Sequence, residues 1–185
     1  RIETHIAGLP GDVFLGEYLA NEKINEVRIA KEFVKFNERC FIRLLGDMRS
    51  VNYVVDITPD FEEVQYRVRP IDFDQQSYEG NFKIYHSYNF RSNRNITRLS
   101  FNCLNRRTIR QYAEEERSQM SNRAASESRR LKGLLRIMRK EKLAPKENIT
   151  RLAHDLNTIH NTDIFTECDT MGKLTEKHIY YMLKL

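Results

Sequence analysis

The sequence predicts an α+β fold that is mainly helical and holds one small antiparallel β-hairpin. Two observations lead to this class. Apolar residues recur at the helical period over 22–45 and again over 105–183, and two runs rich in β-branched and aromatic residues lie between 52 and 73. At 185 residues the chain is long enough for one compact domain with a sizeable core, so we expect a single domain over 1–185.

The first predicted element is a long helix over residues 22–45. Its apolar residues follow one face at a spacing close to 3.6, and they are Ile24, Val27, Ala30, Phe33, Val34, Cys40, Phe41, Leu44 and Leu45. Gly46 comes directly after this stripe, and glycine is the usual residue for the left-handed conformation that ends a helix. We therefore expect the chain to turn sharply at Gly46.

A β-hairpin is predicted to follow. Residues 52–57 are rich in β-branched and aromatic side chains, and Thr58, Pro59 and Asp60 after them are typical of a turn. Residues 64–73 form a second run that alternates apolar and polar side chains through Val68, where Pro70 requires an edge position or a break.

The remainder, 105–185, is predicted to be helical after an irregular segment. Residues 74–104 are polar and aromatic, and we expect a loop there with at most one short helix. Thr108 and Gln111 fit a capping box at the start of a helix that runs to about Lys142, with a possible break between 119 and 128. Pro145 ends that helix, and two further helices are predicted over 149–159 and 174–183.

The composition is that of an ordinary globular protein. Hydrophobic residues make up 40% and charged residues 31% of the sequence, which excludes collagen-like and fully disordered chains. No apolar run approaches the roughly 18 residues of a membrane-spanning helix, and none follows the N-terminus as in a signal peptide, so we expect a cytoplasmic protein without a membrane span. Cys40, Cys103 and Cys168 lie far apart, which indicates neither a disulfide framework nor a zinc site.

Positive charge is concentrated in the second half of the chain. The net charge is +5, and residues 123–151 contain ten Lys and Arg against three acidic residues. Such a segment binds phosphates, RNA or an acidic partner in some proteins, and in others it is simply the solvated face of a helix.

The residues that indicate chemistry lie around the predicted hairpin. Asp47 follows the end of the long helix, Asn52 begins the first strand, and Asp72 ends the returning strand. Phosphoryl transfer uses a carboxylate to orient the attacking hydroxyl and accept its proton, and an amide and a carboxylate to hold Mg²⁺ on the nucleotide. Because antiparallel strands bring the start of one beside the end of the other, we expect Asn52 and Asp72 to be adjacent.

This arrangement resembles the C-terminal lobe of the protein-kinase-like superfamily, whose catalytic loop reads D-x-x-x-x-N and whose next strand ends in D-F-G. The Gly46-Asp47 pair and the later Ile71-Asp72 pair are closer to the aminoglycoside and small-molecule phosphotransferase branch. The resemblance covers about residues 14–80. It implies Asp47 as the catalytic base, Asn52 and Asp72 as ligands of Mg²⁺–ATP, and an acceptor substrate that the motif does not identify.

The sequence also departs from this family. No His precedes Gly46, Asp74 stands where the third residue of D-F-G is expected, and no A-P-E segment follows. Asp74 is either a further metal ligand or a solvated carboxylate. No glycine-rich loop precedes the long helix, so an N-terminal lobe is supplied by a part of the protein outside this sequence or by a second chain, or this lobe no longer catalyses.

The sequence leaves a non-catalytic interpretation open beside the phosphotransferase one. Turns also favour Asp and Asn, so Asp47, Asn52 and Asp72 could be ordinary turn residues. The chain would then be a non-catalytic, pseudokinase-like or helical scaffold that binds an acidic partner or RNA through 123–151. The histidines at 5, 86, 154, 160 and 178 show no metal-binding spacing, and we expect them to be ordinary structural residues.

Overall fold

The computed structural model describes residues 8–21, 24–59, 61, 63–74, 79–140 and 144–185. It confirms a mainly helical α+β fold with a small antiparallel sheet. In chain order the elements are β1 (Leu9–Pro10), α1 (Gly11–Val13), a π-helix (Phe14–Tyr18), α2 (Leu19–Asn21), α3 (Glu26–Ile42), β2 (Tyr53–Pro59), β3 (Val64–Pro70), α4 (Arg94–Cys103), α5 (Arg106–Ser126), α6 (Ser128–Met138), α7 (Lys146–His160) and α8 (Met171–Leu183).

Helix α3 is shorter at both ends than its apolar stripe predicts, since it spans Glu26–Ile42 and the predicted helix spans 22–45. Asn25 caps its N-terminus by accepting a hydrogen bond from the Arg28 main-chain N–H. At the other end the Leu44 N–H donates to the Phe41 carbonyl and the Leu45 N–H to the Cys40 carbonyl, which is the Schellman pattern of helix termination. Leu44 takes the left-handed conformation (φ 47°), so the prediction that Gly46 would do so is wrong.

The predicted hairpin is confirmed, and a short third strand extends it. β2 and β3 pair antiparallel with Val55 opposite Val68 and Tyr53 opposite Pro70, while β1 pairs with the other edge of β2. The predicted turn residue Asp60 lies outside the described residues. β1 has only two residues, which is too short for an alternating pattern to reveal it.

The helical second half largely follows the prediction. The long helix after residue 105 breaks at Glu127, as expected, and Pro145 stands immediately before α7. The N-cap of α5 is Asn105, whose side chain accepts from the Thr108 N–H, so a capping box that starts at Thr108 is incorrect. The segment 74–104 contains three short 3₁₀ helices besides α4, and the predicted helix end at Lys142 lies outside the described residues.

Two hydrophobic clusters share helix α3. One joins α3 to the sheet and the N-terminal helical segment through Phe33, Phe36, Phe14 and Tyr53, which are all almost fully buried. The other joins the C-terminal end of α3 to α6, α7 and α8, and its buried members include Phe41, Ile42, Leu135, Leu152, Leu156, Phe165 and Leu174. No helix in the described part of the chain is long and apolar enough to cross a membrane.

Charged side chains of α3 cover the outer edge of β3. The Val68 N–H donates to Glu32 Oε1 (2.9 Å), and the Val68 carbonyl accepts from Arg39 Nη2 (3.0 Å). Arg39 also pairs with Glu32 at 2.6 Å and lies 3.3 Å from Glu116 of α5, whose side chain is fully buried. Because an uncovered edge strand can pair with another chain, these bonds both satisfy the backbone and protect the sheet.

Two histidines that are distant in sequence meet between α7 and α8. His178 Nδ1 lies 3.3 Å from the Ile42 carbonyl, and His178 Nε2 lies 3.3 Å from His160 Nε2. A neutral His178 satisfies both contacts when Nδ1–H donates to Ile42 and Nε2 accepts from His160. Burial lowers the pKa of His178 to about 3 and the pKa of His86 to about 4.

We expect the protein to lose stability as the pH falls below about 6.5, the value for an unfolded histidine. Below that pH the unfolded chain binds protons at His178 and His86 that the folded chain excludes until pH 4 to 3. The two histidines therefore contribute fully to the free energy of unfolding above pH 6.5. This contribution is lost progressively as the pH falls to between 4 and 3. Each of these histidines adds up to about 1.4 kcal/mol per pH unit to the slope.

Urea unfolding at pH 7 and pH 5 measures this slope. His178→Asn keeps a donor for the Ile42 carbonyl and removes the titration, so it should reduce the pH dependence by about one proton. His154→Asn is the matched control, because His154 is exposed. An unchanged slope in His178→Asn would contradict the assignment.

Candidate functional site

The Asp47 loop lies between the end of α3 and the start of β2. The left-handed turn at Leu44 directs the chain away from the helix, and Asp47 itself has a positive φ of 55°. The Asp47 N–H donates to the Ile84 carbonyl (3.2 Å), and the Asp47 carbonyl accepts from the Arg49 N–H (2.8 Å). The Asp47 carboxylate stays partly exposed, with 23% of the side-chain area accessible.

Asn52 holds this loop closed from the 3₁₀ turn just before β2, since the strand begins at Tyr53 and not at Asn52 as predicted. Its Nδ2 donates to the main-chain oxygen of Asp47 at 2.7 Å and lies 3.4 Å from Asp47 Oδ2. Both of these contacts use the amide nitrogen, and within the described residues the Asn52 Oδ1 atom accepts no hydrogen bond. The amide oxygen is therefore available to a ligand.

The returning strand brings Asp72 to the same place. Pro70 pairs with Tyr53, and the Ile71 N–H donates to the Asn52 carbonyl at 3.0 Å, so Asp72 follows the strand end beside Asn52. Asp72 Oδ1 accepts from the Asp74 N–H (3.0 Å), which forms a local turn and leaves Oδ2 for another partner. The Asp74 side chain is exposed, and only its backbone takes part in this turn.

Arg49 belongs to the site, although sequence reasoning did not single it out. Its guanidinium is half-exposed and lies 2.7 Å from Asp47 Oδ2. The hydrogen bond and charge of Asp47, followed by the charge of Asp72, raise the pKa of Arg49. The one signal in the sequence was a cation two residues after the candidate base.

Polar side chains from the segment before α4 fix the loop. Asn93 is fully buried, and its Nδ2 donates to the carbonyls of Met48 (2.8 Å) and Ser87 (2.7 Å) while its Oδ1 accepts from the Tyr53 hydroxyl (2.9 Å). The Ser50 N–H donates to the Ser92 hydroxyl at 3.1 Å. The loop is thus tied on both sides of Arg49, as preorganisation of a site requires.

The oxygen atoms around Asn52 are suitable ligands for a hard cation that also binds water or phosphate. Across the described ranges, no group of three His, Cys, Asp or Glu side chains is placed to hold a metal ion. A site here would use the Asn52 amide oxygen and the Asp72 carboxylate, with phosphate and water completing the shell. Mg²⁺ is usually bound in this way, by one or two protein oxygens and substrate phosphates.

The basic segment 123–151 spans the end of α5, α6 and the start of α7. Arg139 pairs with Glu176 of α8, and Arg151 donates to the Gly80 carbonyl at 2.9 Å, so both have structural partners. Arg129, Arg130, Lys132 and Arg136 are exposed, and none forms an ion pair with a described residue. Lys142 lies outside the described residues.

The comparisons with known proteins add no relative. No family model matches the sequence, and neither a curated protein nor a solved structure matches the chain.

Proposed function

We propose that this chain carries the catalytic-base loop and the metal-binding loop of a kinase-like phosphotransferase that uses ATP and Mg²⁺. The observation that supports the proposal is one hydrogen-bond network. The Asn52 side-chain amide donates to the Asp47 main-chain carbonyl. The Asn52 main-chain carbonyl accepts from the N–H of Ile71, the residue before Asp72. Three residues with the chemistry of phosphoryl transfer are thereby held within one loop and one hairpin.

Asp47 acts as the base in this proposal. Its carboxylate orients the acceptor hydroxyl and takes its proton as the oxygen attacks the phosphoryl group. Arg49 and Asn52 contact Oδ2, so Oδ1 is the oxygen open to the acceptor. The positive φ of Asp47 and the bond from its N–H to Ile84 fix the direction of the side chain.

Asn52 and Asp72 are the residues that would hold Mg²⁺ and, with it, the nucleotide phosphates. When bound, Mg²⁺ neutralises the charge of the phosphate oxygens. Asn52 contributes Oδ1 and Asp72 contributes Oδ2, since the other atoms of these groups already have partners. Asp74 adds a solvated carboxylate beside them and is a third candidate ligand.

Arg49 provides a cation next to the transferred group. In the free protein it offsets the charge of Asp47 and Asp72, and its half-exposed side chain leaves guanidinium N–H groups accessible to phosphoryl oxygens. Within the described residues no glycine-rich loop covers the phosphates, so we expect that part to come from elsewhere in the protein or from a second chain.

We expect this chain to bind Mg²⁺–ATP weakly, with a dissociation constant in the millimolar range, on the order of 4 kcal/mol of binding free energy. The binding is weak because the phosphates stay hydrated. NMR titration with Mg²⁺–ATP should perturb residues 46–56 and 70–76. Asp72→Ala should abolish these changes, whereas Asp56→Ala, which removes a neighbouring carboxylate paired with Arg69, should leave them.

Asp74→Ala separates the two roles of that residue, because loss of binding makes it a ligand and unchanged binding makes it a surface group. The titration also tests the alternative function, in which the chain is a scaffold for an acidic partner or RNA. Perturbations on 123–151 that persist in Asp72→Ala would mean that ATP is held as a polyanion. That result would overturn the phosphotransferase proposal in favour of the scaffold.

A further inference from the structure

A cavity of about 510 Å³ opens between β3, α3 and the three helices α5, α6 and α8. Its floor is apolar and includes the buried side chains of Ile42, Leu135 and Ile179. At its mouth Leu134 and Phe73 expose about half of their area, 54% and 48% respectively. The volume lies within the usual range for small-molecule sites, and the lining is mainly apolar as in such sites.

The polar side chains that line the cavity in the described part of the chain are all basic. Among the described residues, five arginines and no acidic side chain contribute to the cavity wall; the arginines are Arg39, Arg43, Arg67, Arg69 and Arg123. Three carboxylates that do not line the cavity neutralise part of this positive charge. Glu32 and Glu116 contact Arg39 and Arg67, and Asp56 contacts Arg69.

Arg43 and Arg123 have no carboxylate partner among the described residues. Arg43 donates from Nε to the Arg39 carbonyl at 2.9 Å and also contacts the Cys40 thiol, and its remaining guanidinium N–H groups have no carboxylate acceptor among the described residues. Burial is the largest cause that lowers the pKa of Arg43 and of Arg67, and the charge of Arg39 lowers both further. The Cys40 thiol acts in the opposite direction on Arg43. Arg123 adds to the repulsion on Arg67, so these cations are crowded together. Such crowding is unfavourable unless an anion joins them.

We propose that this cavity binds an anionic amphiphile, an apolar chain or ring system that ends in a carboxylate or phosphate. The acidic head lies between Arg43 and Arg123, where charge-assisted hydrogen bonds from guanidinium groups are strong. The apolar part lies on Leu135 and Ile179 and displaces water from that floor. The inference stands on the cavity and its charges, and it does not require the chain to transfer phosphate.

Four ligands that share a ten-carbon chain test the charge of the head group. Decanoate and decyl phosphate carry the proposed head, decanol is neutral, and decyltrimethylammonium is a cation. Titrated as monomers by calorimetry and NMR, the two anions should bind at least tenfold more tightly than the alcohol, and the cation should not bind. Whichever anion binds more tightly identifies the head as carboxylate or phosphate.

Variants locate the binding. Arg123→Met should weaken decanoate and decyl phosphate by about tenfold and leave decanol unchanged, and Arg43→Met should do the same where it folds. Arg123 is exposed, so its replacement keeps the fold. Arg129→Met is the matched control, because Arg129 is exposed and does not line the cavity. Ala124→Phe, which fills the cavity from α5, should abolish binding of both anions.

Several outcomes would overturn the inference. Decanol binding as tightly as the anions would show that the arginines do not recognise a head group. Equal effects of Arg123→Met and Arg129→Met would show only general attraction to a basic surface. Dimerisation in sedimentation experiments that Ala124→Phe abolishes would assign the cavity to a second copy of this chain. Because none of these measurements involves nucleotide, their failure is distinct from failure of the proposed function.

Discussion

Under the proposed phosphotransferase function, replacing Asp47 by Asn in the full-length protein is expected to lower kcat by about 10²–10⁴-fold, the contribution of a positioned general base. The amide keeps the size of the side chain, and its carbonyl still accepts from Arg49 and Asn52. It has no basicity with which to take the acceptor proton. The hydrogen bond from Asn52 to the Asp47 main-chain oxygen is also unaffected, so the melting temperature should change little.

Asp56→Asn is the matched control for that experiment. Asp56 exposes 22% of its side chain and pairs with Arg69, much as Asp47 exposes 23% and pairs with Arg49. A general loss of charge or an effect of an unpaired arginine would therefore appear in both variants. The base assignment fails if Asp47→Asn retains phosphotransfer within about threefold of the wild type.

The long helix and the hairpin could be predicted because their signals are local. The apolar period of α3 and the β-branched runs of β2 and β3 each lie within one stretch of chain. Asp47, Asn52 and Asp72 could be placed together for the same reason, since a hairpin fixes which ends are adjacent. Leu44 is an exception to these local rules. The rule for helix ends favours Gly46, but full burial of Leu44 in the core offsets the cost of its left-handed conformation.

Contacts between distant segments could not be predicted in this way. His160 and His178 are 18 residues apart and meet only because α7 and α8 pack together. Asn93 fixes the Asp47 loop from 45 residues away, and its type alone suggests a turn residue. Arg49 was adjacent to the predicted base, but its role follows from a side-chain direction that sequence does not supply.

The contacts of α3 and α5 side chains at the outer edge of β3 also join segments that are distant in sequence. Breaking them has the largest expected effect on stability. Arg39→Met should lower the free energy of unfolding by about 3–5 kcal/mol, because it leaves Glu32 and Glu116 buried without their principal cation. The exposed fractions of these three side chains are 8%, 9% and 0%. The Val68 carbonyl also loses its donor, so the outer edge of β3 is left unsatisfied.

Urea unfolding of three variants separates the buried charges from the loss of one side chain. Lys31→Met removes a partly exposed cation of the same helix, α3, that lies beside Glu115 of α5, and it should cost less than about 1 kcal/mol. The triple variant Glu32→Gln, Arg39→Met, Glu116→Gln should be more stable than Arg39→Met alone. It removes the unpaired charges, while the amide oxygen that replaces the Glu32 carboxylate still accepts from the Val68 N–H. If the triple variant is the less stable of the two, the cost of Arg39→Met comes from packing and the edge hydrogen bond rather than from buried charge.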